Sequence, residues 1–350
     1  MSQFVTVNRN DSQFWPMLTG KFSKTHFAQP IRTLYVKSKN EQVTFKIIER
    51  SQSSLLTALV QWYSLARNIY LVFPIMGGLA LLFARYGALQ WDLVAASVVC
   101  LQLFLMALTL YSDYHDYING IDRINEHNFK KPLLKGIIRP YQAVQLAGAF
   151  LGLSLVLAAY LFWQQPMTLF FAAAAFAISY LFSSSIFGQK FKGYTSLMSF
   201  FLAGPLLILG LEYLLFSQLS FVSIVMGLIY GLHALKYDYC KQLRDIFYNS
   251  KAQVVTFSTS LGFEKSKYAY SLISLTHLVF VWSLARVIDE PMLYLLLIVG
   301  VGFEIYINRL LYGAASFLSA NVTQCMDLQK LHFTIENFLL ICILLSPLWI

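Results

Sequence analysis

Apolar residues run along this chain in long unbroken stretches, not at the 3.6-residue spacing of a half-buried helix. Nine stretches stand out, at about 68–84, 93–111, 142–163, 167–185, 195–216, 221–235, 268–288, 292–311 and 333–350. Most approach the ~20 residues that carry an α-helix across a bilayer. The first and sixth are short and borrow neighbours such as Leu65 and Tyr239. Lipid offers free backbone groups no partner, so the stretches are read as helices. The pattern predicts an all-α integral membrane protein with nine transmembrane helices over residues 56–350, behind a polar extension over residues 1–55. Within that extension, 31–48 alternates in part (Leu34, Val36, then Val43, Phe45, Ile47) around Lys39-Asn40-Glu41, a β-hairpin signal. Leu55, Leu56, Leu59 and Trp62 recur at helical spacing and read as an interfacial helix leading into the first span. The first 50 residues hold no apolar core of a signal peptide.

Composition narrows the class. Of the 350 residues 57% are hydrophobic and only 12% charged, about half the charge of a soluble domain. A soluble enzyme, a disordered chain and a nucleic-acid module are excluded on that ground. Cys100, Cys240, Cys325 and Cys342 show no metal-ligand spacing and read as small hydrophobes. Neither a Cys/His cluster in sequence nor a Gly-rich phosphate loop is present.

The net charge of +9 becomes informative once it is placed. Of 26 Lys and Arg, only Arg85 and Arg286 fall in the odd-numbered connections. The rest lie in the N-terminal region, in even-numbered connections, or at the membrane edges facing them. Such segregation predicts a cytoplasmic N-terminus and an external C-terminus. A face this basic also favours anionic lipid heads or phosphorylated substrates.

Two even-numbered connections carry the acidic residues of interest. After the second span comes Ser112-Asp113-Tyr114-His115-Asp116, then Gly120, Asp122 and Arg123. On a continuing helix Asp113 and Asp116 share a face, and a turn at Gly120 brings Asp122 back toward them. Oxygen-only ligands suit Mg²⁺. Lys130, Lys131, Lys135 and Arg139 follow, enough charge to neutralise a polyphosphate. After the sixth span come Lys236, Asp238, Lys241, Gln242, Arg244, Asp245, Asn249 and Lys251. Asp245 and Asn249 again share a helical face, and both connections lie on one side of the membrane. Mixed charges in a single loop are ordinarily just solvated; two such loops on one face point to a metal-bound diphosphate. Glu212 reads as the outer end of its span and Glu304 as interfacial, which argues against a transporter.

The first loop resembles the signature of the UbiA superfamily of intramembrane prenyltransferases. The likeness is closest to the branch that prenylates 1,4-dihydroxy-2-naphthoate in menaquinone synthesis. That branch carries Asn-Asp-x-x-Asp followed by Gly-x-Asp; here stand Ser112-Asp113-x-x-Asp116 and Gly120-x-Asp122. Lys131-Pro132-Leu133-Leu134-Lys135-Gly136 resembles the family's Arg-Pro-Leu-x-x-Gly. Gln242-Leu243-Arg244-Asp245, then Thr256-Phe257 and Leu261-Gly262, resembles its Asn-x-Arg-Asp, Thr-Leu and Leu-Gly. Arg67-Asn68 with Pro74 and Gly77 resembles the entry to its first helix, and Lys190 and Ala203-Gly204-Pro205-Leu206 match a further Lys and Gly-Pro-Leu. Departures are Ser112 for Asn, Phe182 for Tyr, Thr195-Ser196 for a Gly-acid pair, Asn249 for Asp, and Gln253-Val254 for Gly-Lys.

The resemblance implies nine helices around a central cavity and Mg²⁺-dependent transfer of a polyprenyl group from its diphosphate to an aromatic, quinone-precursor-like acceptor. Asp113, Asp116, Asp122 and Asp245 are then the catalytic acids; Asp113, Asp116, Asp245 and Asn249 hold the metal. Arg67, Asn68, Arg123, Lys131, Lys190, Arg244 and Lys251 contact the diphosphate, and Phe73, Tyr111, Tyr180 or Tyr230 shield the allylic cation. Expected partners are polyprenyl diphosphate, a small acceptor, membrane lipids and, through residues 1–55, a protein; nucleic acid is not one. The expected location is a multi-pass membrane protein, of the inner (plasma) membrane in a bacterium. The alternative is a non-catalytic or divergent relative that binds an isoprenoid or a partner protein, an alternative that Asn249 and the added N-terminal piece favour.

Overall fold

The computed structural model of the chain describes residues 3–23, 25–30, 42–49, 65–118, 122, 131–183, 195–252 and 254–346, with side chains left out at 3, 65–71, 180–183 and 195. The interfacial helix expected before the first span, and the first half of the expected hairpin, lie outside these residues. The chain forms two compact units: Met1–Asn68 with Val99–Val156 and Lys251–Gln253, and Ile69–Val98 with Leu157–Ser250 and Val254–Ile350.

In the first unit, β1 (Gln3–Asn8), β2 (His26–Pro30) and β3 (Gln42–Glu49) form an antiparallel sheet in the order β1-β3-β2. Val5 pairs with Phe45 and Ala28 with Ile47. Alternation points Val43 and Phe45 inward, where they meet Val7, Ala28 and the buried Phe14, Met17 and Leu18 of α1 (Phe14–Thr19). The strand partner of the Val43–Ile47 pattern therefore begins earlier than the alternation suggested. β1 and α1 had no sequence reading at all.

Two helices complete this unit: the C-terminal part of α3 (Trp91–Ile118) and the N-terminal part of α4 (Pro140–Gln164). Between them, residues 131–138 form a tight turn, in which the Leu134 and Lys135 N–H groups donate to the Lys131 carbonyl at 3.1 and 3.2 Å. Leu133, Leu134, Ile137 and Ile138 are buried with Leu110 and Tyr117 of α3 and Ala143 and Ala147 of α4. Gly136 has φ +64°, and a Cβ there would stand 2.3 Å from Phe27 Cε1 of β2. The Tyr117 hydroxyl donates to the Ala28 carbonyl at 3.2 Å, and Ile118 packs on the core of the sheet. The sheet and the turn, each with its own core, thus meet at Phe27, Ala28 and Ile118.

The second unit is helical. It contains α2 (Leu65–Tyr86, from Ile69 on), the start of α3, the end of α4, α5 (Thr168–Ser183), α6 (Thr195–Ala203), α7 (Pro205–Phe216), α8 (Phe221–Arg244), α9 (Ile246–Lys251), α10 (Phe257–Leu261), α11 (Phe263–Ile288), α12 (Tyr294–Gly313) and α13 (Ala320–Leu345). Helix α8 packs on α6, α7, α11 and α13. The break at Gly204-Pro205 sits directly on it: a Cβ on Gly204 would come within 2.3 Å of the Gly227 carbonyl oxygen. Glycine at both positions lets the two backbones touch, which gives the Gly-Pro-Leu element a steric reason. At the other side of α7, Glu212 accepts from the Tyr86 hydroxyl at 3.0 Å and from the Ser220 N–H at 2.8 Å, closing the turn into α8.

Among the described residues six helices are long and apolar enough to cross a membrane, and Val72–Tyr86 and Thr168–Ser179 are shorter apolar helices. Large side chains such as Trp163, Phe170, Leu272, Ile298 and Phe338 are exposed on them, as a lipid-facing surface requires. The protein is an integral membrane protein. Several helices outrun their hydrophobic stretches: α3 continues to Ile118, α8 to Arg244, and α13 begins at Ala320.

Candidate functional site

Asp113 and Asp116 lie in the last turns of α3, and Asp122 lies just beyond it. One carboxylate oxygen from each falls within 4.8 Å of the others. Lys131, the first residue of the packed turn, enters the same cluster. Its Nζ stands 2.8 Å from Asp113, 2.7 Å from Asp122 and 3.9 Å from Asp116. The Asp113 and Asp122 side chains are only 3% and 0% exposed, whereas Asp116 and Lys131 are each 15% exposed. Burial pushes the Asp122 carboxyl up to about 6; Lys131 opposes this, and Asp116 and Asp113 add to it. Two of the three acids are therefore sealed in protein while the third edge is open. The buried Leu133 and Ile137 hold Lys131 at this point, so the Lys-Pro-Leu-x-x-Gly element works as an anchor for its cation. His115 stacks edge-on against Tyr111 at 4.5 Å and Tyr114 at 5.5 Å.

In the second unit, the expected second motif sits at the end of α8. Arg244 grips Asp245 in two-pronged fashion, Nε to Oδ1 at 2.7 Å and Nη2 to Oδ2 at 3.0 Å. Arg244 Nη1 also lies 3.3 Å from the Met326 sulfur of α13. Asp245 is buried, Asn249 half-buried and Lys251 exposed. The Gln242 side chain donates to the Ser196 hydroxyl, and Ser199 donates to Asp238, tying α8 to α6. Thr256 and Thr259 form a reciprocal capping box that starts α10, and Gly262 both ends α10 and opens α11. The Thr-Phe and Leu-Gly pairs are thus helix punctuation. Arg123 and Lys190 lie outside the described residues, as do the side chains of Arg67, Asn68 and Tyr180. Tyr230 is buried, with its hydroxyl against Gly77 and its ring 6.3 Å from Phe333.

Sequence reasoning missed a second polar cluster and misplaced Glu304. Far from interfacial, Glu304 is buried midway along α12, with the Lys236 ammonium at 2.7 Å, the Tyr270 hydroxyl at 2.9 Å and His332 Nδ1 at 3.3 Å. His233, His277, His332 and Glu336 lie beside it. In the sequence these residues stand far apart on three hydrophobic helices, and only the i, i+4 pair His332/Glu336 gives a local signal.

The model of the UbiA prenyltransferase family matches residues 71–317. A 1,4-dihydroxy-2-naphthoate octaprenyltransferase of Mycobacterium leprae (strain TN) is 24% identical over 224 residues, which is 62% of this chain and 75% of that protein. A UbiA homologue from Aeropyrum pernix K1 superposes with a TM-score of 0.62 at 13% identity, over 78% of this chain and 96% of that one. A UbiA homologue from Archaeoglobus fulgidus, solved with GPP and Mg²⁺, gives 0.59 at 16% identity, over 83% and 99%. With a matched segment running from α2 through α12, the chain belongs to the UbiA prenyltransferase family.

Proposed function

We propose that the chain transfers a polyprenyl group from its diphosphate to a small aromatic acceptor of the quinone-precursor kind, at a site on the cytoplasmic ends of nine transmembrane helices. One observation carries this most: three acidic side chains, with oxygens within 4.8 Å of one another, at the end of an apolar helix in a member of this family. An oxygen-only donor set with one open edge fits Mg²⁺, which takes one or two carboxylates and completes its shell with water and phosphate. The cluster already holds a cation in Lys131, so its field is built for positive charge. Asp113, Asp116 and Asp122 are the residues that would hold the metal. When bound, Mg²⁺ supplies charge that offsets the diphosphate as the C–O bond breaks.

The remaining roles fall to the chain itself. Lys131 donates from the rim of the triad toward phosphate oxygens. Arg244 does the same from a guanidinium already oriented by Asp245, which holds it in one rotamer. Arg67, Asn68, Arg123, Lys190 and Lys251 are further phosphate contacts on sequence grounds. Asp245 orients Arg244, and Asn249 offers a neutral carbonyl in the second motif. The Mycobacterium leprae relative's name supports a naphthoate-type acceptor and a long prenyl donor. The GPP and Mg²⁺ of the Archaeoglobus fulgidus homologue support a diphosphate donor and a divalent metal.

The test is prenyl transfer in membranes with Mg²⁺ and a panel of phenolic acceptors. Asp113→Asn and Asp116→Asn should each abolish product while the protein still accumulates. Undiminished turnover in both variants overturns the assignment. A second reading, a relative that binds a prenyl diphosphate without turning it over, is favoured by Asn249 and by the engagement of both Asp245 oxygens with Arg244. Saturable prenyl diphosphate binding with no product, in the unaltered protein, would select it.

A further inference from the structure

Three of the chain's six histidines converge in the second unit. His233 of α8, His277 of α11 and His332 of α13 surround the carboxylate of Glu336, one turn beyond His332. All four residues are buried. The Nε2 atoms of His233, His277 and His332 lie 3.0, 3.4 and 2.8 Å from Glu336 oxygens. Yet none of the six ring nitrogens has hydrogen-bond geometry to any partner. Buried imidazoles in protein are normally hydrogen-bonded; here they converge without aligning.

The charge balance poses the same question. Lys236 is paired with Glu304. Among the described residues Glu336 has no Lys or Arg partner; its ion pairs are with the three imidazoles. A carboxylate sealed in protein needs a countercharge. A single divalent cation held by neutral imidazoles and the carboxylate supplies it and uses the unaligned nitrogens at once.

We propose that His233, His277, His332 and Glu336 form a binding site for one divalent first-row transition-metal ion of the zinc class, joining α8, α11 and α13. Imidazole with one carboxylate is a donor set such ions take readily. Two donors at about 2.1 Å from a tetrahedral ion stand about 3.4 Å apart, and the three observed Nε2–oxygen separations lie within about 0.6 Å of that. Donor atoms of His233, His277 and Glu336 already fall within 4.8 Å of one another. Metal-bound histidines commonly present their second nitrogen to a carboxylate. His332 turns Nδ1 toward Glu304 at 3.3 Å, short of hydrogen-bond alignment, and Lys236 and Tyr270 hold that carboxylate in turn. Phe303 stacks on the His332 ring at 4.9 Å and shields it. The site is structural: it pins three helices, and none of its ligands belongs to the acidic triad.

The test uses the full-length protein, purified in detergent with excess Mg²⁺, and measures bound metal by elemental analysis before and after equilibration with Zn²⁺. Co²⁺ loading gives a second readout, since tetrahedral Co²⁺ absorbs strongly in the visible. One zinc equivalent per chain and a tetrahedral Co²⁺ spectrum are expected. His277→Ala and Glu336→Gln should each weaken Zn²⁺ binding tenfold or more, and Asp113→Asn should leave it unchanged. A chain that takes up no stoichiometric Zn²⁺ and shows no tetrahedral Co²⁺ band overturns the proposal, even where the variants fail to accumulate. Uptake lost in Asp113→Asn but retained in His277→Ala overturns it equally, because the metal then sits in the triad.

Discussion

Removing the charge of Lys131 tests the acidic triad most directly. In Lys131→Met the side chain keeps most of its length and its place in the turn, but the three carboxylates lose the ammonium they share at 2.7–3.9 Å. Because Asp113 and Asp122 are almost fully buried, the loss belongs to the class of broken buried ion pairs, about 3–5 kcal/mol. At about 2 °C per kcal/mol for a long chain, the metal-free variant should unfold on the order of 6–10 °C below the unaltered protein. Mg²⁺ restores the missing charge, so the same variant should regain most of that deficit when the ion is added. The unaltered protein, with Lys131 competing for the same oxygens, should respond less. Thermal unfolding in detergent, followed by fluorescence with and without Mg²⁺, reads both quantities. A variant as stable as the parent without metal, and no more responsive to it, would refute the account of the triad as a cation-holding cluster.

Two further predictions concern the same unit. Asp122 has its carboxyl raised to about 6, so below that value metal must displace a proton. Mg²⁺ affinity should then fall as pH drops through 6, by up to about tenfold per unit, and level off above it. In the metal-free protein the raised value works against the fold: this group's contribution to stability falls as pH rises from about 4 to 6. Calorimetric titration of Mg²⁺ at about pH 5 and pH 7 checks the first statement, and equal affinities would contradict it. Gly136→Ala forces a side chain into the left-handed region, at about 1–2 kcal/mol. It also drives a Cβ into Phe27, at about 1–3 kcal/mol more. Faster proteolysis of the N-terminal sheet is expected, with partial recovery in the double variant carrying Phe27→Ala; unaltered proteolysis would show that the turn and sheet are not coupled.

The hydrophobic stretches were legible because lipid imposes a crude, length-based rule on sequence. Their ends were not, for a physical reason that α13 illustrates. Residues 320–332 are rich in polar side chains, so hydropathy starts the helix at Phe333. Gln329, His332 and Glu336, however, recur at spacings of three and four and turn inward. In such a helix the polar stripe faces protein and the apolar surface faces lipid, the reverse of a soluble helix. The same inversion hid Glu304 and Lys236. The acidic triad was legible because its members stand within ten residues of one another. The histidine cluster was not, because its members meet only once α8, α11 and α13 have packed. In the N-terminal region, β3 announced itself by alternation, while α1 is six residues long and β2 five, too short to carry a period.

The contact between the sheet and the 131–138 turn bears on how the chain can be dissected. Phe27 fills the hollow that Gly136 leaves, and Ala28 receives the Tyr117 hydroxyl one residue beyond Asp116. A shortened chain starting at residue 56 is therefore not the same catalyst minus an appendage. Its Tyr117 loses the Ala28 carbonyl, and the turn that carries Lys131 loses the Phe27 ring from beside Gly136. Kinetics measured on such a fragment describe a rebuilt site, and only full-length variants report on the native one.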